Sequence, residues 1–129
     1  MSDGYLFDTH CLLWQLNGDA RISKKAKALL ERPKEKKYAS IASVWEVAVK
    51  ISIEKLAYQG GVRSFFEDIV AGGLGISTVS IDVLEILEKL PYHHRDPFDR
   101  ILVATAMAEN YAIVTADDRI KEYPVKIVW

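Results

Sequence analysis

A chain of 129 residues, 50% hydrophobic and 27% charged, has the size and composition of one globular domain (residues 1–129) built around a single core. Its formal net charge of −1 argues against the broad basic footprint of proteins that coat nucleic acids, although a small basic rim beside an acidic site is compatible with it. The lone Cys11 excludes an internal disulfide and fits a reducing cytoplasm, no apolar run reaches the ~20 residues of a membrane span, and Met1-Ser2-Asp3-Gly4 does not open a signal peptide.

Tyr5-Leu6-Phe7 is a short apolar run bounded by Gly4 that ends on Asp8, Thr9 and His10, the pattern of a buried strand with polar groups at its carboxyl end. Cys11 to Leu16 has helical spacing and stops at Asn17-Gly18, and Ser23 opens a helix from Lys24 to Arg32 that Pro33 ends. The lysines at 24, 25, 27, 34, 36 and 37 make this the most basic region, readable either as a solvated helix face or as a surface that steers phosphates. Lys37 to Ala39 reads as a strand and about Ile41 to Glu54 as a helix apolar on most sides, hence largely buried. Val62 to Val70 forms a helix between two Gly-Gly breaks, and Ile76 to Val79 a strand. Ser80 or Asp82 caps the helix that runs to Leu90. Asp96-Pro97 opens the clearest helix, with Asp as N-cap and Pro in the first turn, continuing to Asn110. Ala112 to Thr115 is a further buried strand, Asp118 to Glu122 a short helical turn, and Val125 to Trp129 a last strand. Strands alternating with helices imply right-handed crossovers and a central parallel sheet with helices on both faces.

Four acids stand where packing alone does not ask for them. Asp8 and Asp117 end or follow apolar strands, Glu46 interrupts an apolar helix, and Asp99 lies on the first turn of the Pro97 helix. A parallel sheet gathers strand carboxyl ends and helix amino ends on one edge, where these side chains converge. Carboxylates crowded together raise each other's pKa unless a cation neutralises them, and hard oxygen donors favour Mg²⁺ or Mn²⁺ over Zn²⁺. Such an ion can activate water and stabilise the charge that builds on a phosphoryl group. Asp8, Asp99 and Asp117 are the candidate metal ligands and, with Glu46, the candidate catalytic set. Thr9 and Thr115 are candidates on the substrate side, their hydroxyls orienting carboxylates or the attacking water.

Each acid also has a purely structural reading. Ser43-Val44-Trp45-Glu46 fits a capping box, and Glu46 with Lys50 a surface ion pair. Asp99 can be a favourable first-turn charge and Asp117-Asp118 a turn. Convergence of all four is what turns the set into a site. His10, next to Asp8, is the best placed of the three histidines to touch it; adjacent His93 and His94 read as loop residues or as groups that grip RNA or protonate a leaving group. Trp14, Trp45 and Trp129 read as core or dimer contacts.

Leu6-Phe7-Asp8-Thr9-His10, Ser43-Val44-Trp45-Glu46 with Lys50, His94-Arg95-Asp96-Pro97-Phe98-Asp99-Arg100 and Val114-Thr115-Ala116-Asp117 together resemble the PIN-domain nucleases, particularly the VapC-like toxins of toxin–antitoxin pairs. They span nearly the whole chain in family order. The resemblance implies a PIN-like three-layer α/β fold and a metal-dependent endoribonuclease with Asp8, Glu46, Asp99 and Asp117 as its acidic set. It further implies RNA hydrolysis leaving a 5′-phosphate, homodimerisation, and inhibition by a cognate antitoxin whose tail fills the groove. Asp96 is read as the helix cap and Asp99 as the site residue. Arg100 is read as a contact to a substrate phosphate or as a structural ion pair. The rival reading is a non-cutting module that keeps its acids to bind metal or a partner protein, favoured by the slightly acidic balance. A small-phosphoester phosphatase finds no support, since no phosphate-cradling glycine loop is present.

Overall fold

The computed structural model describes residues 2–129. Five strands, β1 (Tyr5–Phe7), β2 (Lys37–Ser40), β3 (Gly75–Ser77), β4 (Ala112–Val114) and β5 (Ile127–Val128), form one sheet in the order β3-β2-β1-β4-β5. Every pairing is parallel. Six helices connect them: α1 (Thr9–Leu16), α2 (Lys24–Glu31), α3 (Ile41–Ser52), α4 (Gly61–Ala71), α5 (Ile81–Lys89) and α6 (Pro97–Glu109). A single 3-10 turn, Ile120–Glu122, precedes β5.

Period-two alternation divides the core into two layers. Ala112 and Val114 of β4 face one cluster with Phe7, Leu12, Leu29, Val47, Phe65 and Ile69. Ile113, between them, faces the other cluster, with Val83, Ile101, Val103 and Ile120. The first layer is therefore covered by α1, α2 and α4, the second by α5 and α6, and all three residues of β4 are buried. A strand sandwiched this way must be apolar throughout, as Ala112-Ile113-Val114 is.

Of the two caps the sequence offers for α5, Ser80 is the one, its hydroxyl accepting from the Val83 amide. The start of α3 needs correction. The cap of α3 is Ser40, accepting from Ala42, so Ser43 lies inside the helix and the capping-box reading of Glu46 fails. Helix α3 is also less buried than its composition suggested. Ala42, Ser43, Glu46 and Val47 face inward, whereas Trp45 is 55% exposed and packs edge-on against Phe98 at 4.8 Å.

The topology locates the crevice. From β1 the chain winds outward through β2 to β3, then returns to place β4 on the other side of β1. Ligands bind in open parallel sheets where winding reverses, outside the strand carboxyl ends. Here that point lies between β1 and β4, whose register pairs Phe7 with Val114, so the next residues along are Asp8 and Thr115.

Candidate active site

Asp8 takes its position from two elements at once. Its amide donates to Val114 O at 3.1 Å, which extends the β1–β4 ladder by one step. Its side chain then caps α1, Oδ1 accepting from the Cys11 amide at 2.8 Å. The other oxygen, Oδ2, accepts from the Thr115 hydroxyl. Thr115 is buried and also accepts, at 3.0 Å, from the Asp117 amide. One hydroxyl thus ties the end of β1 to the loop after β4, and Asp8 and Asp117 open onto the same edge.

Glu46 arrives from α3. Thr9 Oγ1 donates to its Oε1 at 2.7 Å and also lies 2.9 Å from Ser43 Oγ, while Lys50 Nζ meets Oε2 at 2.5 Å. The carboxylate is buried yet fully engaged, with its own counter-charge. Both threonine hydroxyls are therefore spent on carboxylates in buried positions. Of the roles expected for them, this geometry matches the orienting of carboxylates.

Asp99 and Asp117 form the other half. Asp96 caps α6, its Oδ1 accepting from Phe98 at 2.8 Å and Asp99 at 3.2 Å, which sets Asp99 on the first turn facing the crevice. Asp117 Oδ1 accepts from the Arg119 amide at 2.9 Å, and its Oδ2 lies 2.8 Å from His94 Nε2. The same Nε2 lies 3.1 Å from Asp99 Oδ2. Ligand atoms of His94, Asp99 and Asp117 all fall within 4.8 Å of one another.

Electrostatics separates these groups. Burial, together with the charges of Asp96, Glu46, Asp8 and Asp117, pushes the Asp99 carboxyl up to about 8. Burial also raises Asp8, against the opposing hydrogen bonds from Thr115 and Cys11. Asp117 goes the other way: burial works to raise it, but hydrogen bonds from the Arg119 amide and His94 outweigh that and hold it below the ordinary range. Among the described residues no lysine or arginine forms an ion pair with Asp8 or Asp99. Such a pocket has more negative charge than the protein neutralises and only oxygen donors on its acids, which fits a hard divalent cation.

Arg100 is not part of this pocket. Its guanidinium is buried and turned to the end of α5, donating to Leu87 O, Leu90 O and Pro91 O at 3.4, 3.3 and 3.0 Å, and lies over the Tyr92 ring at 3.9 Å. Both earlier readings, phosphate contact and ion pair, give way to a cap on the final carbonyls of a helix. His10 is exposed and stacks on Trp14 at 6.0 Å, reaching Asp8 only through its charge. His94, read from sequence as a loop residue or RNA contact, is the histidine that touches the acids.

A PIN-domain family model matches residues 5–126. The chain belongs to the PIN-domain family. Among solved structures, this PIN domain is similar to VapBC2 from Rickettsia felis bound to a promoter DNA fragment, at 18% identity and TM-score 0.71, with 96% of each chain covered. It is similar to a toxin–antitoxin complex from Klebsiella pneumoniae, at 21% identity and TM-score 0.65, covering 98% of this chain and 97% of the other. DNA-bound VapBC from Salmonella typhimurium matches at 14% identity and TM-score 0.70, covering 97% and 96%. At these identities the likeness is one of fold. Comparison with curated proteins returned no match.

Proposed function

We propose that this PIN domain is a divalent-metal-dependent endoribonuclease and the toxin of a toxin–antitoxin pair. The observation that supports this reading most is the gathering of four acids from four separate segments close enough to raise one another's carboxyls, with no lysine or arginine paired to Asp8 or Asp99 among the described residues. Asp8, Asp99 and Asp117 would hold Mg²⁺ or Mn²⁺, with Glu46 beside them. A bound ion of this kind supplies Lewis acidity toward a phosphodiester and neutralises the charge that develops during displacement. The chain's own groups supply orientation. Thr115 and the Cys11 amide aim the two oxygens of Asp8, Thr9 and Lys50 fix the two oxygens of Glu46, and the Asp96 cap sets the rotation of α6 that presents Asp99.

RNA as substrate and a cognate antitoxin as inhibitor come from the family likeness and from the toxin–antitoxin assemblies that share the fold. Homodimerisation, also implied by the family, has apolar surface available to it in exposed Trp45, Ile81, Leu84 and Tyr92. A cytoplasmic setting agrees with the free, buried Cys11, and among the described residues no helix is long and apolar enough to cross a membrane. The deciding experiment is RNA cleavage by purified protein with Mn²⁺, repeated with Asp8→Asn. Wild-type cleavage abolished in the variant is expected; equal activity in both removes the assignment.

A further inference from the structure

His94 stands between two acids, and distance alone would admit it as a third metal ligand. Its other ring nitrogen decides against that. Nδ1 accepts a hydrogen bond from the Asp96 backbone amide at 3.0 Å. An amide N–H can only donate, so Nδ1 carries no proton, and a neutral imidazole must then carry its proton on Nε2. Nε2 has a proton to give and no lone pair for a metal. That proton points at Asp117 Oδ2 and Asp99 Oδ2, at 2.8 and 3.1 Å.

The ring is also locked from behind. The His94 amide donates to Tyr123 Oη at 3.0 Å, and Tyr123 Oη donates to Pro91 O at 2.7 Å. Arg100 Nη1 reaches Tyr123 Oη at 3.3 Å, so the arginine that caps α5 also braces the segment that holds the imidazole. His94 is 1% exposed and has no room to swing away.

We propose that His94 is a positioning residue: as a fixed Nε2–H donor it clamps Asp99 to Asp117, holding two acids from distant segments at the separation a single cation spans, and never enters the coordination sphere itself. This rests on the metal-site reading above and adds a rule to it, that the metal is bound through oxygen alone. Partners of this kind, one bond behind the ligands, are typically worth ~10–100-fold in metal affinity.

Two measurements on the full chain test it. Long-range proton–nitrogen correlation spectra of isotope-labelled protein read the tautomer directly, with His94→Gln identifying the His94 signals among the three histidines. The neutral Nε2–H form is expected both without metal and after Mg²⁺ addition. A proton found on Nδ1, or lost from Nε2 when Mg²⁺ binds, overturns the proposal. Calorimetric titration with Mn²⁺ supplies the second arm. His94→Phe keeps a ring without a donor and is expected to bind ~10–100-fold more weakly, whereas His94→Gln, which retains a donor at the Nε2 position, recovers most of the affinity. Equal loss in both variants marks a merely structural residue and refutes the clamp, as does wild-type affinity in His94→Phe. Should the Phe variant fail to fold, the spectra and the Gln variant still decide. If RNA is not cleaved while tautomer and affinities come out as expected, the nuclease reading fails and the clamp stands; the converse pattern fails the clamp alone.

Discussion

Glu46 and Asp99 are both acids on helices that point into one crevice, yet the protein treats them in opposite ways. Glu46 is nearly sealed from solvent but has a hydroxyl on one oxygen and an ammonium on the other. Asp99 is more open, has no cation of its own, and is pushed up to about 8 by burial and by the acids around it. The difference shows that burial by itself does not mark a metal site. What sets Asp99 apart is a raised carboxyl with no lysine or arginine paired to it among the described residues, the feature on which the proposed metal site rests.

The largest effect that would sharpen this contrast is on catalysis. Replacing Asp99 by Asn is expected to cut metal-dependent RNA cleavage by ~10³-fold or more, the scale of several kcal/mol of lost transition-state stabilisation. The same change should raise the stability of metal-free protein near about pH 8 by more than ~1 kcal/mol, measured by urea denaturation, because it removes an uncompensated carboxylate. Glu46→Gln has no such gain to offer, since both carboxylate oxygens of Glu46 already have partners in Thr9 and Lys50.

A pH series on metal-free protein tests the same point without substrate. Asp99 titrates near 8 when folded and near ~3.9 when unfolded. Between those values the folded state binds more protons than the unfolded one, so stability falls as pH rises, by at most ~1.4 kcal/mol per pH unit for this group. Urea midpoints in chelator at about pH 5 and about pH 8 should show that decline. Adding Mn²⁺ should reverse it, and a flat profile would remove the contrast with Glu46.

Arg100→Met examines the brace behind the α6 side. Losing donors to the last carbonyls of α5 and to Tyr123 should cost ~2–4 kcal/mol of stability, read by thermal or urea melting. An unchanged melting point would mean that the guanidinium cap contributes nothing. The smallest effect is expected at Lys50→Met. The variant leaves the buried Glu46 carboxylate with Thr9 alone, so stability should drop by ~1–2 kcal/mol while Mn²⁺ affinity stays within a few-fold of wild type.

Strand and helix positions were legible along the chain because periodicity and caps are local: Asp96-Pro97 opens α6, and Ala112-Ile113-Val114 is a buried strand. The Ser43 capping box was misread because two serines within four residues offer the same chemistry, and only backbone dihedrals show that Ser40 is the cap. Arg100 was misread for a related reason. An arginine one residue from a site acid invites an electrostatic role, but on a helix adjacent positions face different directions, and its face meets the end of α5. Composition and periodicity do not separate His94 from His93; only the family-like stretch that begins at His94 does, and it assigns the ring no role. What distinguishes it is an amide two residues on and acids five and 23 residues away, brought together only by the fold.

The amino-acid order alone determined the alternation of strands and helices, and with it a parallel sheet whose carboxyl edge collects Asp8, Asp99 and Asp117, because these depend on short-range pattern and on the handedness of crossovers. Tertiary structure decided which oxygen each hydroxyl serves, which tautomer His94 holds and which acid keeps its proton. Those properties depend on contacts between residues far apart in the chain, and on how much water each contact excludes.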